Sequence, residues 1–254
     1  VDGPICGSGE HARWGEENGW TAVRCRGCGA VLVNPRPPLA AIRAATERGV
    51  HPGEQEVEDR SYFSRLKIRG FERRLREVFP NDGLRGLRRL DVGCGCGESL
   101  LALQRLGARA VGVEPGLYKP ARLARLGVPV HRDLTEVEGR FDVVSVFNVF
   151  SHLPDPIGLI AELRRGLAPG GRLVLLTGNI AELEDEPNLH PLDLPNHLVF
   201  VGARSLEAIA GRCGLEVERI RRYPEFFPTL NGPFANRVKN VVKRLVGRPP
   251  NHAT

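Results

Sequence analysis

The segment Leu90-Asp91-Val92-Gly93-Cys94-Gly95-Cys96-Gly97-Glu98 joins an apolar run to three alternating glycines and two carboxylates, a composition suited to holding a nucleotide. Glycines let the chain turn tightly and bring its backbone against a ligand, and the free amides that open a following helix attract partial negative charge. The next apolar run, Ala110-Val111-Gly112-Val113, ends in Glu114, about 20 residues on, where a carboxylate accepts both hydroxyls of a ribose. A dinucleotide loop reads G-x-G-x-x-G, whereas residues 93 to 98 read Gly-Cys-Gly-Cys-Gly-Glu and lack the last glycine. Asp91, two residues before the first glycine, suits a cationic ligand bearing an amino acid better than a pyrophosphate. A sulfonium nucleoside meets both conditions.

A second chemistry sits near the front of the chain. Cys25 and Cys28 form a C-x-x-C with Cys6 upstream, while Cys94 and Cys96 lie in the glycine loop and Cys213 stands alone. Six cysteines so clustered in 254 residues do not make a disulfide scaffold, and metal binding is the better reading of the first three.

These groups need elements to position them. With 41% hydrophobic and 26% charged residues the chain is globular, and its 30 Gly and 20 Pro follow no period, which excludes collagen-like and low-complexity classes. No apolar run reaches the length of a membrane span, and residues 1 to 10 lack the layout of a signal peptide, so a cytoplasmic location is expected. Strands are expected at 89–92, 110–114, 129–132, 141–149, 172–177 and 215–221, with helices at 98–106, 120–126, 157–167 and 205–213. Near-continuous apolar strands alternating with helices predict an α/β fold with a doubly wound, mostly parallel sheet whose ligands bind beyond the carboxyl ends of the strands.

The expected layout is a cysteine-rich leader and linker over 1–38, ending at Asn34-Pro35-Arg36-Pro37-Pro38, a helical cap over 39–80, a binding core over 81–225 and a basic helix and tail over 226–254. The formal net charge is +6, and much of the basic excess lies between Arg60 and Arg89. That stretch could meet RNA, an acidic substrate or only water.

Four motifs in order give the chain a close resemblance to the Rossmann-like S-adenosylmethionine-dependent methyltransferases over residues 60 to 222. LDVGCGCGESL resembles their first motif and GVEP, 112 to 115, their second. FDVVSVFNVFSHLPDP, 141 to 156, is similar to the segment around the fourth strand, and LRRGLAPGGRLVLLTGN, 163 to 179, to the fifth-strand region. The resemblance implies S-adenosylmethionine as cofactor. It places Asp91, Gly93, Cys94, Gly95 and Gly97 at the methionine part, Glu114 and Pro115 at the ribose, Asp133 and Leu134 beside the adenine, and Asn148 and Val149 next to the methyl group. Tyr62, in Ser61-Tyr62-Phe63, resembles an aromatic residue that covers the cofactor in relatives with a cysteine-rich front end; a plain core aromatic is the alternative.

The same resemblance places His152 and His197 in substrate-facing segments, each a fitting general base, with Asn148 alongside. Ser151 and Asn196 stand where relatives carry a Glu next to each histidine, which favours a metal-free base; structural hydrogen bonding is the alternative for both. The 180–197 insertion, holding His190 and Asp193, reads as a substrate lid. The front end resembles a zinc knuckle in which Gly3 occupies the first cysteine position. Either His11 completes Cys6, Cys25 and Cys28, or the site is weak, or it has lost its metal.

The expected activity is O-methylation of a small-molecule acceptor in secondary or quinone metabolism. An RNA methyltransferase and a catalytically silent methyltransferase-fold binding protein are the alternatives. No final antiparallel strand is visible, which leaves a sheet one strand short or an edge covered by the C-terminal helix or by a second subunit in a homodimer.

Overall fold

The computed structural model describes residues 3–48, 61–81, 83–116, 127–182 and 192–222, with backbone alone at 61–64. Nearly all of these belong to the first of two units, Val1–Arg219; of the second, Ile220–Thr254, only 220–222 are described. The helix expected at 120–126, residues 183–191 of the lid, the basic helix and tail over 226–254 and the question of a final strand there lie outside the described residues.

The chain opens with an antiparallel meander of β1 (His11–Glu17), β2 (Trp20–Cys25) and β3 (Val31–Val33). Sequence pattern reads this stretch as irregular, because β1 is His-Ala-Arg-Trp-Gly-Glu-Glu, half-exposed along its length and without apolar alternation. Helices α1 (Leu39–Arg48) and α2 (Ser61–Val78) follow. The chain then alternates through β4 (Arg88–Val92), α3 (Glu98–Arg105), β5 (Arg109–Val113), β6 (Val130–His131), β7 (Phe141–Phe147), α4 (Pro156–Arg165) and β8 (Leu167–Leu176), and ends in β9 (Val199–Phe200) and α5 (Ala203–Arg212).

Strands β4 to β8 form one fully parallel sheet in the order β6-β5-β4-β7-β8. The order reverses between β4 and β7, which puts the binding crevice at their carboxyl ends. Alternate side chains feed two layers. Val143 packs with Ile68, Leu75, Phe79, Leu100 and Leu103 from α2 and α3, while Leu90, Val92, Val144 and Val146 pack with Ile160, Leu163 and Ile209 from α4 and α5. Each fully buried aliphatic side chain of this kind contributes about 1.5–3 kcal/mol. The doubly wound parallel sheet is the one the sequence predicts.

Two expectations need correction. Residues 215–222 form no strand: Leu215 N–H turns back onto the Ala210 carbonyl at 2.8 Å, Val217 stays exposed, and Arg172 Nε donates to Glu218 at 2.8 Å. The basic stretch is not one solvated face, because Arg74 and Arg89 are buried and Arg89 lies over the Phe79 ring at 4.3 Å. The front end also takes a strand from far along the chain, since β9 joins β3 antiparallel and gives the leader sheet its fourth strand. Ile5, Cys25, Cys28, Ala30 and Leu32 share one apolar core with Leu198, Val199, Val201 and Ile209.

Candidate active site and cysteine cluster

At the carboxyl edge of the parallel sheet Asp91, the glycine loop, Glu114 and Val149 lie together. Register pairs Asp91 with Gly112 and Val92 with both Val113 and Val146, so Gly93 and Glu114 leave their strands side by side. Gly93 has φ +71°, and a Cβ there would lie 2.2 Å from Val149 Cγ2, so only glycine fits between β4 and the segment after β7. Gly95 N–H donates to Glu114 Oε2 at 2.7 Å and Gly116 N–H to Oε1 at 3.0 Å. Glu114 thus orders the loop by holding the amides of Gly95 and Gly116 on its two oxygens. A Cβ at Gly112 would lie 2.7 Å from Leu100 Cδ1 and 2.8 Å from Cys94 Sγ, which shows how closely α3 and the buried Cys94 pack on β5.

Asp91 is 1% exposed. Its carboxylate accepts hydrogen bonds from Ser99 Oγ on α3 and from Ser145 Oγ on β7, the latter at 2.6 Å. Burial pushes its pKa up to about 6 against the pull of these hydroxyls and of Arg89. Asp91 thus ties β4, α3 and β7 together beneath the glycine loop. Sequence reading missed both serines, although Ser145 is the one polar residue inside Val143-Val144-Ser145-Val146 and is the register partner of Asp91.

Asp133, just beyond β6, is exposed; its carboxylate accepts from Thr135 N–H at 2.8 Å and Thr135 Oγ1 at 2.7 Å, bonds that hold it below the usual carboxylate range. Leu134 beside it packs onto the core. Asn148 sits at φ +57° directly after β7, its N–H held by the Leu176 carbonyl at 2.8 Å. Pro115 follows β5, and Gly97 precedes α3 at φ +85°. The backbone of Tyr62 lies in the first turn of α2; its side chain is outside the described set.

His152 and His197, 45 residues apart in sequence, come together with ring centroids 4.6 Å apart. His152 Nδ1 lies 2.8 Å from the Asn196 carbonyl and His197 Nδ1 lies 2.7 Å from the Leu192 carbonyl. A carbonyl only accepts, so both Nδ1 atoms carry the proton, which makes Nε2 the lone-pair nitrogen of each neutral ring. His152 N–H also bonds the Val149 carbonyl at 2.9 Å, which anchors the pair next to Asn148 and Val149.

The leader holds the residues that carry His197. Glu17 accepts from Leu192 N–H at 3.1 Å and Leu194 N–H at 2.7 Å, Asn18 Nδ2 donates to the Leu194 carbonyl at 2.8 Å, and Arg24 donates to the Ala181 carbonyl at 2.8 Å. Arg36, whose pKa burial lowers, donates to the Pro154 carbonyl two residues after His152. No local pattern signals these positioning residues, because their partners lie more than 100 residues away.

The Sγ atoms of Cys6, Cys25 and Cys28 lie within 4.8 Å of one another, with Cys6 and Cys25 3.5 Å apart, and none forms a disulfide. Burial pushes the Cys28 thiol up to about 12, with its thiol neighbours adding to the effect. At Cys6 burial opposes ionisation, but the hydrogen bonds at Ser8, Cys25 and Cys28 outweigh it and lower the pKa. Three crowded sulfurs ionise together only around a cation, so this donor set fits a thiophilic ion such as zinc. Beside them, His11 is the cross-strand partner of Cys25, and its Nε2 is buried without a hydrogen-bond partner. A Cβ on Gly3 would lie 3.1 Å from that nitrogen.

The strand order and the crevice define a Rossmann-like methyltransferase fold. The magnesium protoporphyrin IX methyltransferase of Synechocystis PCC 6803 shares it, with a TM-score of 0.52 and 17% identity over 74% of this chain and 91% of that one. A methyltransferase-domain family model matches residues 60–220, and the chain belongs to that family. It is an enzyme that uses S-adenosylmethionine. The ubiquinone biosynthesis O-methyltransferase of Xanthomonas euvesicatoria pv. vesicatoria is 34% identical over 167 residues, covering 58% of this chain and 70% of that protein. Its namesake in Pseudomonas aeruginosa is 33% identical over 159 residues, covering 54% and 68%. Among the described residues no helix is long and apolar enough to cross a membrane.

Proposed function

We propose that the protein methylates a hydroxyl of a small acceptor of the phenolic or quinone-precursor class. The similarity to two ubiquinone biosynthesis O-methyltransferases carries this reading, since more than two thirds of each relative aligns. Bound S-adenosylmethionine supplies an electrophilic methyl group on a sulfonium sulfur that departs as a neutral thioether. Gly93, Cys94, Gly95 and Gly97 hold its methionine part, Glu114 and Pro115 its ribose, and Asp133 and Leu134 flank its adenine. Asp91 acts from beneath the loop as a positioning residue through Ser99 and Ser145.

Asn148 and Val149 border the transferred methyl group, and the histidine pair beside them receives the acceptor's proton. The anchored Nδ1–H groups direct proton uptake to Nε2 of His152 or His197, which leaves the acceptor oxygen with the electron pair it needs for attack. The fixed backbone around Val149 and Asn196 orients the acceptor, and orientation is the larger part of catalysis in an in-line displacement. The lid stem at 192–197 sets which acceptors fit.

The test is formation of S-adenosylhomocysteine with a panel of catechols and hydroxylated quinone precursors. Turnover that falls about a hundredfold in His197→Ala or His152→Ala, with cofactor affinity kept, supports the base assignment. Full activity in both variants rejects it. No turnover with any hydroxylated acceptor, together with salt-sensitive RNA binding through the exposed arginines of α2, would favour the RNA reading instead.

A further inference from the structure

We propose that binding of S-adenosylmethionine is linked to loss of a proton from Asp91, so that the crevice favours the sulfonium donor over its neutral thioether product. The inference rests on the cofactor reading of the crevice and assumes nothing about the acceptor.

Asp91 is 1% exposed, and a carboxylate so deep needs either a counter-charge or a proton. Its hydrogen-bond donors, Ser99 Oγ on α3 and Ser145 Oγ on β7, are neutral. The charged groups that act on it come from two strands. Arg89, two residues earlier on the same face of β4, attracts its negative charge, while Glu114 at the end of β5 repels it. Arg89 neutralises Asp91 incompletely. Its guanidinium lies over the Phe79 ring at 4.3 Å, all three of its nitrogens are buried without a hydrogen-bond partner, and its charge is shared with Asp142 on β7. Burial lowers the Arg89 pKa only to about 9, so it stays a cation wherever Asp91 titrates. Glu114, which holds the Gly95 and Gly116 amides, sets a second carboxylate at the same edge. Of the other packed elements, α3 carries Glu98 next to Ser99 and α2 carries the buried Arg74.

Asp91 is left with two hydroxyls, a stacked and shared cation and a like-charged neighbour, and it meets this by holding its proton up to about pH 6. S-adenosylmethionine and S-adenosylhomocysteine share adenine, ribose and amino-acid groups and differ by a methyl group and one positive charge at sulfur. A sulfonium held at the glycine loop supplies the counter-charge that Asp91 lacks, and the low polarity of the buried site lets it act without contact. The carboxyl O–H bond breaks, its electron pair stays on the carboxylate, and the proton passes to solvent. Once methyl transfer leaves the sulfur neutral, the counter-charge is gone. The product is then held less firmly than fresh donor, which favours turnover of the site.

Calorimetric titration of the full chain in buffers of different ionisation enthalpy counts the proton directly, with no acceptor present. S-adenosylmethionine is expected to release about half a proton at pH 6 and about a tenth at pH 7, and its affinity should rise by up to about tenfold from pH 5 to pH 7. S-adenosylhomocysteine should release far less, with affinity constant within about twofold over the same range. Asp91→Asn should abolish the release and flatten the pH dependence of donor affinity. Ser145→Ala keeps the carboxyl group but removes one of its hydrogen-bond donors, so its release at pH 7 should exceed that of wild type; this variant carries the test if Asp91→Asn does not fold. Donor binding without a proton change at pH 6, equal release with donor and product, or release that persists in Asp91→Asn would overturn the proposal. A release profile unmoved by Ser145→Ala would do the same. Failure of both ligands to bind at any pH would reject the underlying cofactor reading and the proposal with it, whereas binding without proton release rejects the proposal alone.

Discussion

The two sides of the proposed catalytic crevice are built by opposite means. On the cofactor side, a strand, a glycine loop and the next strand bring Asp91, Gly93, Gly95 and Glu114 together within 24 residues of chain. On the acceptor side, His152 and His197 depend on Arg36, Glu17 and Asn18, whose partners lie 118 to 177 residues away in sequence. The cofactor side is a rigid consequence of parallel strand packing. The acceptor side is held by hydrogen bonds to backbone carbonyls and amides, a construction that tolerates changes in lid sequence. This division suits an enzyme family that keeps one methyl donor and varies its acceptors.

If that contrast is right, damage should be severe and local on one side, graded and transmitted on the other. The largest effect is expected from Gly93→Ala. Its positive φ and the 2.2 Å approach of Val149 should together cost about 3–4 kcal/mol in denaturant unfolding, with about 1–2 kcal/mol recovered by Val149→Ala. Recovery of nothing would mean that Val149 does not constrain the loop.

Next comes pH. Asp91 is raised to about 6 when folded, above its ordinary value, so the folded state binds the proton more tightly than the unfolded chain. Its contribution to stability is therefore fully present below about pH 4 and falls by about 3 kcal/mol as pH rises through about 6. Asp91→Asn should lack this fall, as checked by unfolding at pH 4 and pH 7 for both proteins. A difference between the two pH values that Asp91→Asn leaves intact would place the titration elsewhere.

Glu114→Ala should weaken S-adenosylhomocysteine binding by about 1–3 kcal/mol through loss of a charge-assisted hydrogen bond and of loop order. The smallest effect belongs to the acceptor side. Glu17→Gln keeps the shape of the side chain but halves its acceptors, and should cost about 1 kcal/mol of local stability, read as faster exchange at Leu192 and Leu194 with cofactor affinity unchanged. A cofactor affinity that fell with it would erase the distinction between the two sides.

The same contrast explains how much was legible in the sequence. The parallel sheet and glycine loop could be read because β7 is a largely apolar run and β4 ends in Leu90-Asp91-Val92 directly before the glycines, with Asp91 and Ser145 as the polar residues facing each other across the ladder. The helices α3, α4 and α5 fell within a few residues of their expected positions for the same reason. The leader sheet could not be read: β1 is half-exposed along its length with no apolar alternation, and the other strands of its sheet, β2, β3 and β9, span most of the chain. Residues 215–221 carry apolar residues at Leu215 and Val217 but form no ladder, so composition there predicted a strand that packing does not supply. Glu17 had no signature because a carboxylate near a turn is the commonest of surface features. His11 was legible only as one way to fill a gap at Gly3; it is the cross-strand partner of Cys25 with a buried Nε2, while the sulfurs that lie together are those of Cys6, Cys25 and Cys28.

The measurement that bears most directly on this division is a calorimetric titration of S-adenosylhomocysteine into the wild-type protein, Glu114→Ala and His197→Ala, with turnover followed in parallel. The expected result is micromolar binding by wild type and by His197→Ala, affinity reduced about tenfold or more in Glu114→Ala, and turnover lost in both variants. Undiminished affinity in Glu114→Ala would contradict the cofactor assignment, and full turnover in His197→Ala would contradict the base.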